Sequence, residues 1–173
     1  MVLVMDTKET VVKELERSTR QFVEYMKEYA SRPCHTPIAS DQWNVSQVVE
    51  HVILSDHSIT NLLQKPFLKS KNGHYTKYRV RDLLLNRHDK IKNRENLTPP
   101  DEPEKSIPEL LDVFTRQRQE LIDLVQNDEI DLQSEDAFPH QSIGLLTRRD
   151  WLFLICFHSD RHIAQTQELL FVC

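Results

Sequence analysis

TRRDWLFLICFHSDRHIAQTQELL, residues 147–170, decides the fold of this chain. Its run of aromatic and β-branched residues would suit a strand, but its length would not. Strands seldom exceed ten residues, whereas a buried helix of this length is ordinary. The start of the segment carries a helix signal. Thr147 stands at an N-cap position, and Asp150, three residues on, is placed to complete a capping box. The spacing predicts a buried helix from Thr147 through Leu170, the most hydrophobic stretch of the chain.

Three further segments share the helical period. From about Thr7 to Ala30, Val11, Val12, Leu15, Phe22, Val23 and Met26 recur at helix spacing, and Pro33 follows the end. Asn44 opens the next helix with Gln47 as its capping-box partner. That helix runs to about Gln64, before Pro66, with Val45, Val48, Val49, Val52, Ile53, Ile59, Leu62 and Leu63 forming a broad apolar face. Ser106, with Glu109 three residues on and Pro108 tolerated in the first turn, opens the third. Leu110, Leu111, Phe114, Leu121, Ile122 and Val125 line it. The fourth is the quoted segment.

Between the second and third helices, Phe67 to Lys105 is too long for a structureless connection in a compact domain. Val80, Leu83, Leu84 and Ile91 predict a short extra helix inside it, followed by an extended Pro-rich crossover, LTPPDEPEK, residues 97–105. The fold class expected is all-α: a four-helix bundle with a long crossover between its second and third helices, in one domain spanning residues 1–173. Composition agrees. The chain contains 2 glycines, Gly73 and Gly144. That is too few for a phosphate-cradling loop or a sheet of tight hairpins, and no obstacle to helices.

Charge narrows the partners. Lys and Arg number 22 and Asp and Glu 27, giving a formal net charge of −5, which argues against a nucleic-acid or anionic-membrane surface. The segment Lys69 to Arg94 is locally basic. No apolar run reaches the roughly 18 residues of a membrane span. MVLVMDTKE, at the start, lacks the basic and long apolar regions of a secretory signal. The 3 cysteines, Cys34, Cys156 and Cys173, are scattered and form no CxxC, which fits a reduced, cytoplasmic setting.

Within the quoted segment, His158 and His162 lie four residues apart. This spacing stacks two imidazoles on one helix face, where both can reach one ion of the zinc type. The same spacing also suits two half-buried histidines packed beside Trp151 and Ile155. A third ligand must come from elsewhere. His51, among Val48, Val49 and Val52, is the candidate, although a lone histidine beside an apolar stripe is more often a satisfied core residue. Inward-facing histidines on two packed helices are a common way for bundles to build metal sites, and three ligands leave a position open.

The remaining titratable groups are weaker. His57 falls on another face from His51. His35, His74, His88 and His140 sit in connections or beside prolines, with His140 the one placed to approach the site mouth. Asp160 suits a surface salt bridge with Arg161 or a neighbour. Asp56 and Glu50 are candidates to accept an imidazole N–H, or are simply solvated charges. Cys156 reads as core.

WNVSQVVEH, residues 43–51, followed much later by FPHQSIGLLTRRDWLFLICFHSDRHIAQTQ, residues 138–167, resembles the DinB/YfiT-like superfamily. The first string matches its Trp, cap, helix and His signature. The second matches its final loop and HxxxHxxQ helix. The crossover and the Arg-bearing third helix, with Arg116 and Arg118, also fit. The resemblance covers nearly the whole chain. It implies a four-helix bundle with a three-histidine site for nickel, zinc or a similar ion, held by His51, His158 and His162. Trp43, Gly144, Trp151, Arg161 and Gln165 are family-like positions that shape the site or the fold, and homodimers are common among such proteins.

Such proteins include bacillithiol- or mycothiol-dependent transferases, thiol-dependent isomerases and metal-dependent hydrolases. The implied activity is therefore hydrolysis of a small molecule or S-transfer with a low-molecular-weight thiol, and no residue selects the substrate. A competing expectation is a non-catalytic, metal-stabilised stress or binding protein, because no general base is assured beside the histidines.

Overall fold

The computed structural model describes residues 7–31, 43–66, 77–86, 97–100 and 104–170. Helices α1 (Lys8–Ala30), α2 (Val45–Leu63), α3 (Lys77–Leu85), α4 (Ile107–Gln126) and α5 (Arg148–Leu170) are joined by a hairpin, β1 (Ala137–His140) and β2 (Gly144–Thr147), between α4 and α5. The bundle consists of α1, α2, α4 and α5, with α3 in the crossover, as the periodicity predicts. Ile91, Pro33 and most of the basic 69–94 segment lie outside the described residues.

The helix starts follow the sequence signals. Asn44 Oδ1 accepts from Gln47 N at 2.9 Å, and Gln47 Oε1 accepts from Asn44 N at 3.0 Å, so orphan donors at the start of α2 are satisfied reciprocally. Ser106 N and Oγ donate to Glu109 at 2.8 and 2.6 Å. Thr147 N and Oγ1 donate to Asp150 Oδ2 at 2.9 and 2.7 Å. At its other end α4 closes in a Schellman arrangement. Glu129 N donates to Leu124 O at 2.9 Å and Asp128 N to Val125 O at 3.3 Å. Asp128 takes the left-handed conformation (φ 59°) there, and Lys8 Nζ ties its carboxylate to α1 at 2.8 Å.

The hairpin corrects the expectation drawn from the low glycine count. Its register pairs Ala137 with Thr147 and His140 with Gly144, leaving a three-residue loop. Such a loop needs one residue at positive φ, and Gly144, at φ 106°, supplies it. One glycine was therefore enough. The hairpin has two strands only, so the chain remains an all-α bundle with an appendage.

Around the bundle the helices are ordered α1, α5, α2, α4. The sequence neighbours α1 and α2 meet only weakly across the diagonal, and α3 packs on α5. The long crossover makes this arrangement possible by carrying the chain from the end of α2 back to the start of α4.

The core has two parts. One is built on Leu15, Leu63, Leu121, Leu146 and the 151–157 run of α5. The other is built on Phe22, Met26, Val48, Val52, Leu111 and Phe114. Polar side chains are buried as well: Ser18, Asp56, Arg118 and Ser159 are each 0 or 1% exposed. No helix among the described residues is long and apolar enough to cross a membrane.

Candidate metal centre

Trp43 and the Asn44 cap fix where α2 begins, and His51 follows two turns later on the face turned toward α5. The Trp43 ring lies against the His51 imidazole, with centroids 4.7 Å apart. The crossover returns along the same face. Pro100 O accepts from Gln47 Nε2 at 3.2 Å, and Leu97 O lies 2.7 Å from His51 Nδ1. A carbonyl oxygen can only accept, so His51 Nδ1 carries the proton and Nε2 presents its lone pair.

On α5 the four-residue spacing brings His158 and His162 together. His162 Nδ1 lies 2.9 Å from Gln165 Oε1, which again puts the proton on Nδ1 and frees Nε2. The three Nε2 atoms converge: His51 to His158 spans 3.3 Å and His162 to His158 spans 3.0 Å. All three nitrogens lie within 4.8 Å of one another. His51 is 5% exposed and His162 6%. His158 keeps some surface, but its Nδ1 is sealed from solvent and has no partner among the described residues.

A metal ion is the chemical test of this arrangement. Nitrogens bound tetrahedrally at about 2.0–2.1 Å stand about 3.3 Å apart, and closer at smaller angles. The two edges match those separations. Without a cation, two rings fixed as Nδ1–H tautomers would point lone pairs at the one shared nitrogen of His158, which can donate to only one of them. Three imidazole nitrogens are a donor set that fits a metal ion. The trio could hold a metal through His51, His158 and His162, and no fourth His, Cys, Asp or Glu joins the group among the described residues.

Electrostatics favour the neutral, ligating form. Burial pushes His51 below its ordinary pKa, partly opposed by the bond to Leu97. Burial pushes His158 well down, assisted by His162, His51, Arg118 and Arg161. Protons therefore compete less for these nitrogens at neutral pH.

The other site candidates take varied places. Gln165 orients His162, and Trp43 abuts His51. Arg161 Nη1 donates to Leu84 O at 2.5 Å and Asn86 O at 3.0 Å, holding the end of α3 against α5 rather than reaching the trio. Trp151 lies two turns before His158. Its ring contacts His140, with centroids 5.4 Å apart, and none of the three imidazoles. His140 sits on the hairpin strand β1, its ring against Trp151. His57 is exposed and bonds Asn61 Nδ2 at 2.9 Å. His35, His74, His88, Cys34 and Cys173 lie outside the described residues.

Asp56 requires correction, and Asp160 makes a salt bridge with a partner on another helix. Asp56 accepts from no imidazole: its Oδ2 takes Arg118 Nε at 2.5 Å in the core. Asp160 pairs across to α1, where Arg17 holds it at 2.8 and 3.1 Å, and not with Arg161. Glu50 Oε2 is buried without a hydrogen-bond partner among the described residues. Cys156 is fully buried, and burial pushes its thiol up to about 12. A surface cleft of about 430 Å³ between α1 and α5 is lined by Arg17, Gln21 and Asp160 among others and includes none of the three histidines. Its Arg17 and Asp160 already satisfy each other.

A family model described as DinB superfamily matches residues 14–166. The chain belongs to the DinB superfamily. One similar solved structure is described as the crystal structure of TT2238, a four-helix bundle protein. It is 24% identical, with a TM-score of 0.59, and the match covers 94% of this chain and 99% of that one. At that identity the likeness speaks for the four-helix-bundle fold alone. No curated protein matches the chain.

Proposed function

We propose that this DinB-superfamily chain binds one divalent ion, zinc or nickel, through Nε2 of His51, His158 and His162, and uses the site as an enzyme on a small molecule. The supporting observation is the convergence of three Nε2 atoms with Nδ1 of His51 and His162 committed to protein acceptors. When bound, such an ion supplies Lewis acidity, and it activates either water, for hydrolysis, or a low-molecular-weight thiol of the bacillithiol type, for S-transfer. The chain's own residues favour neutral His51 and His158 by burial and fix two tautomers through Leu97 O and Gln165 Oε1. With three protein ligands, the remaining coordination is left to reactants.

The competing reading, a metal-stabilised binding protein without turnover, draws on one observation. Asp56 and Asp160, two carboxylates on the ligand-bearing helices, are both committed to arginines. Neither is available as a general base. Assay of the zinc- and nickel-loaded chain on a panel of electrophiles, with water or thiols as second reactant, separates the readings. Turnover that requires the metal and disappears in His158→Ala supports the enzyme. Full metal retention with no turnover across the panel favours the binding role. In either case the site is expected to act within a single chain or a homodimer, and size-exclusion chromatography with light scattering distinguishes these.

A further inference from the structure

Among the described residues Arg118 is the largest fully buried side chain, 1% exposed, and it comes from a helix that carries no candidate ligand. Its guanidinium reaches all three other bundle helices. Nε donates to Asp56 Oδ2 on α2 at 2.5 Å. Nη2 donates to Ser159 Oγ at 2.7 Å and Ile155 O at 3.3 Å on α5. Nη1 donates to Ser18 Oγ on α1 at 3.1 Å. The Phe114 ring lies 4.8 Å below the guanidinium and keeps it in plane.

Where these contacts fall matters. Asp56 is little more than a turn beyond His51. Ser159 is the residue after His158, and Ile155 is one turn before Ser159. One rigid, planar group therefore grips α2 and α5 each within about a turn and a half of a candidate ligand. Those two helices must bring His51 Nε2 and His158 Nε2 to 3.3 Å of each other, so a slip of either along its axis would separate them.

Stability does not account for the pair. A buried Arg–Asp pair is commonly no better than apolar residues of the same volume. This one is also incompletely satisfied, because Asp56 Oδ1 is buried with no partner among the described residues. What the pair offers, and apolar residues do not, is direction: a fork of fixed geometry that sets one register between helices.

The geometry points to Arg118 as a positioning residue for the metal centre, a pin that sets the register of α2 against α5 so that His51 meets His158 and His162. The inference rests on the metal reading above. It extends the site to a residue that touches neither metal nor reactant.

Cobalt(II) titration of the full-length chain, followed by visible absorption and chelator competition, tests it. Ser159→Ala and Ser18→Ala each delete one hydroxyl acceptor from the same guanidinium, one on the ligand-bearing α5 and one on α1, which carries no ligand. The pin requires Ser159→Ala to weaken cobalt binding about tenfold and shift its absorption bands, with Ser18→Ala leaving both as in the wild type. Equal effects from the two, or none from Ser159→Ala, would overturn it.

Arg118→Met with Asp56→Leu provides the second arm. Circular dichroism is expected to show a folded helical chain, and cobalt affinity is expected to fall by at least about tenfold. A folded double variant that binds cobalt as the wild type does would show that the pair serves the core alone. If the wild-type chain itself takes up no cobalt, zinc or nickel, the metal reading falls and the pin with it. That outcome is distinct from a wild type that binds alongside variants that bind equally well.

Discussion

Replacing Gln165 with leucine removes the acceptor that sits 2.9 Å from His162 Nδ1 while leaving every proposed ligand in place. Leucine is close in size to glutamine and no worse a helix former, so α5 is expected to remain intact. Without the acceptor, the His162 imidazole, only 6% exposed, is free to divide between its two tautomers. The Nε2–H form cannot ligate. Loss of such an orienting partner typically weakens metal binding about 10- to 100-fold, or about 1.4–2.7 kcal/mol. A neutral hydrogen bond of ordinary length, net about 1 kcal/mol, places the expectation at the tenfold end. Competition between the loaded chain and a chromophoric chelator at neutral pH measures the ratio, with circular dichroism to confirm folding. A folded Gln165→Leu variant within about twofold of the wild-type affinity would refute the tautomer argument, since each tenfold step is only about 1.4 kcal/mol.

Two more predictions concern ionisation. His51 and His158 are held below their ordinary value of 6.5, so the unfolded chain binds their protons more readily than the folded one. Their contribution to stability is complete above about pH 6.5 and is lost as pH falls through the lower, folded-state values. Denaturant unfolding of the metal-free chain should show lower stability at about pH 5 than at about pH 7.5, with a smaller difference in His158→Ala; equal stability at both pH values would contradict the burial of these rings. Cys156, buried and raised to about 12, should resist iodoacetamide in the native chain and react once the chain is unfolded. Peptide mass spectrometry reads the difference, and equal labelling in both states would be inconsistent with its place in the core.

Much of this was legible because local chemistry and periodicity agree. Asn44 with Gln47, Ser106 with Glu109 and Thr147 with Asp150 announce three helix starts, and all three pairs form hydrogen bonds in the fold. His158 and His162 needed only the helical period to fall together. His51 needed the packing of α2 on α5, which periodicity does not specify and the family resemblance supplied. The hairpin escaped because two four-residue strands leave almost no alternating pattern, and one of them contains Pro139. Leu97 O, the acceptor for His51, is a backbone atom and has no residue-type signal at all.

Arg118 and Asp56 did leave a trace. Arg118 continues the stripe of Leu111, Phe114, Leu121 and Ile122, and Asp56 continues that of Val52, Ile59 and Leu63. Opposite charges on two apolar stripes point to a buried pair. Reading each charge alone, as solvated or as an imidazole partner, misses it.

The central claim is that three histidines from two helices form one metal centre. Elemental analysis of the purified chain, loaded with zinc or nickel and freed of excess, tests it most directly when repeated on the His51→Ala, His158→Ala, His162→Ala triple variant. The expected result is about one ion per wild-type chain and little or none in the triple variant. A full complement of metal in the triple variant, or none in the loaded wild type, would contradict it.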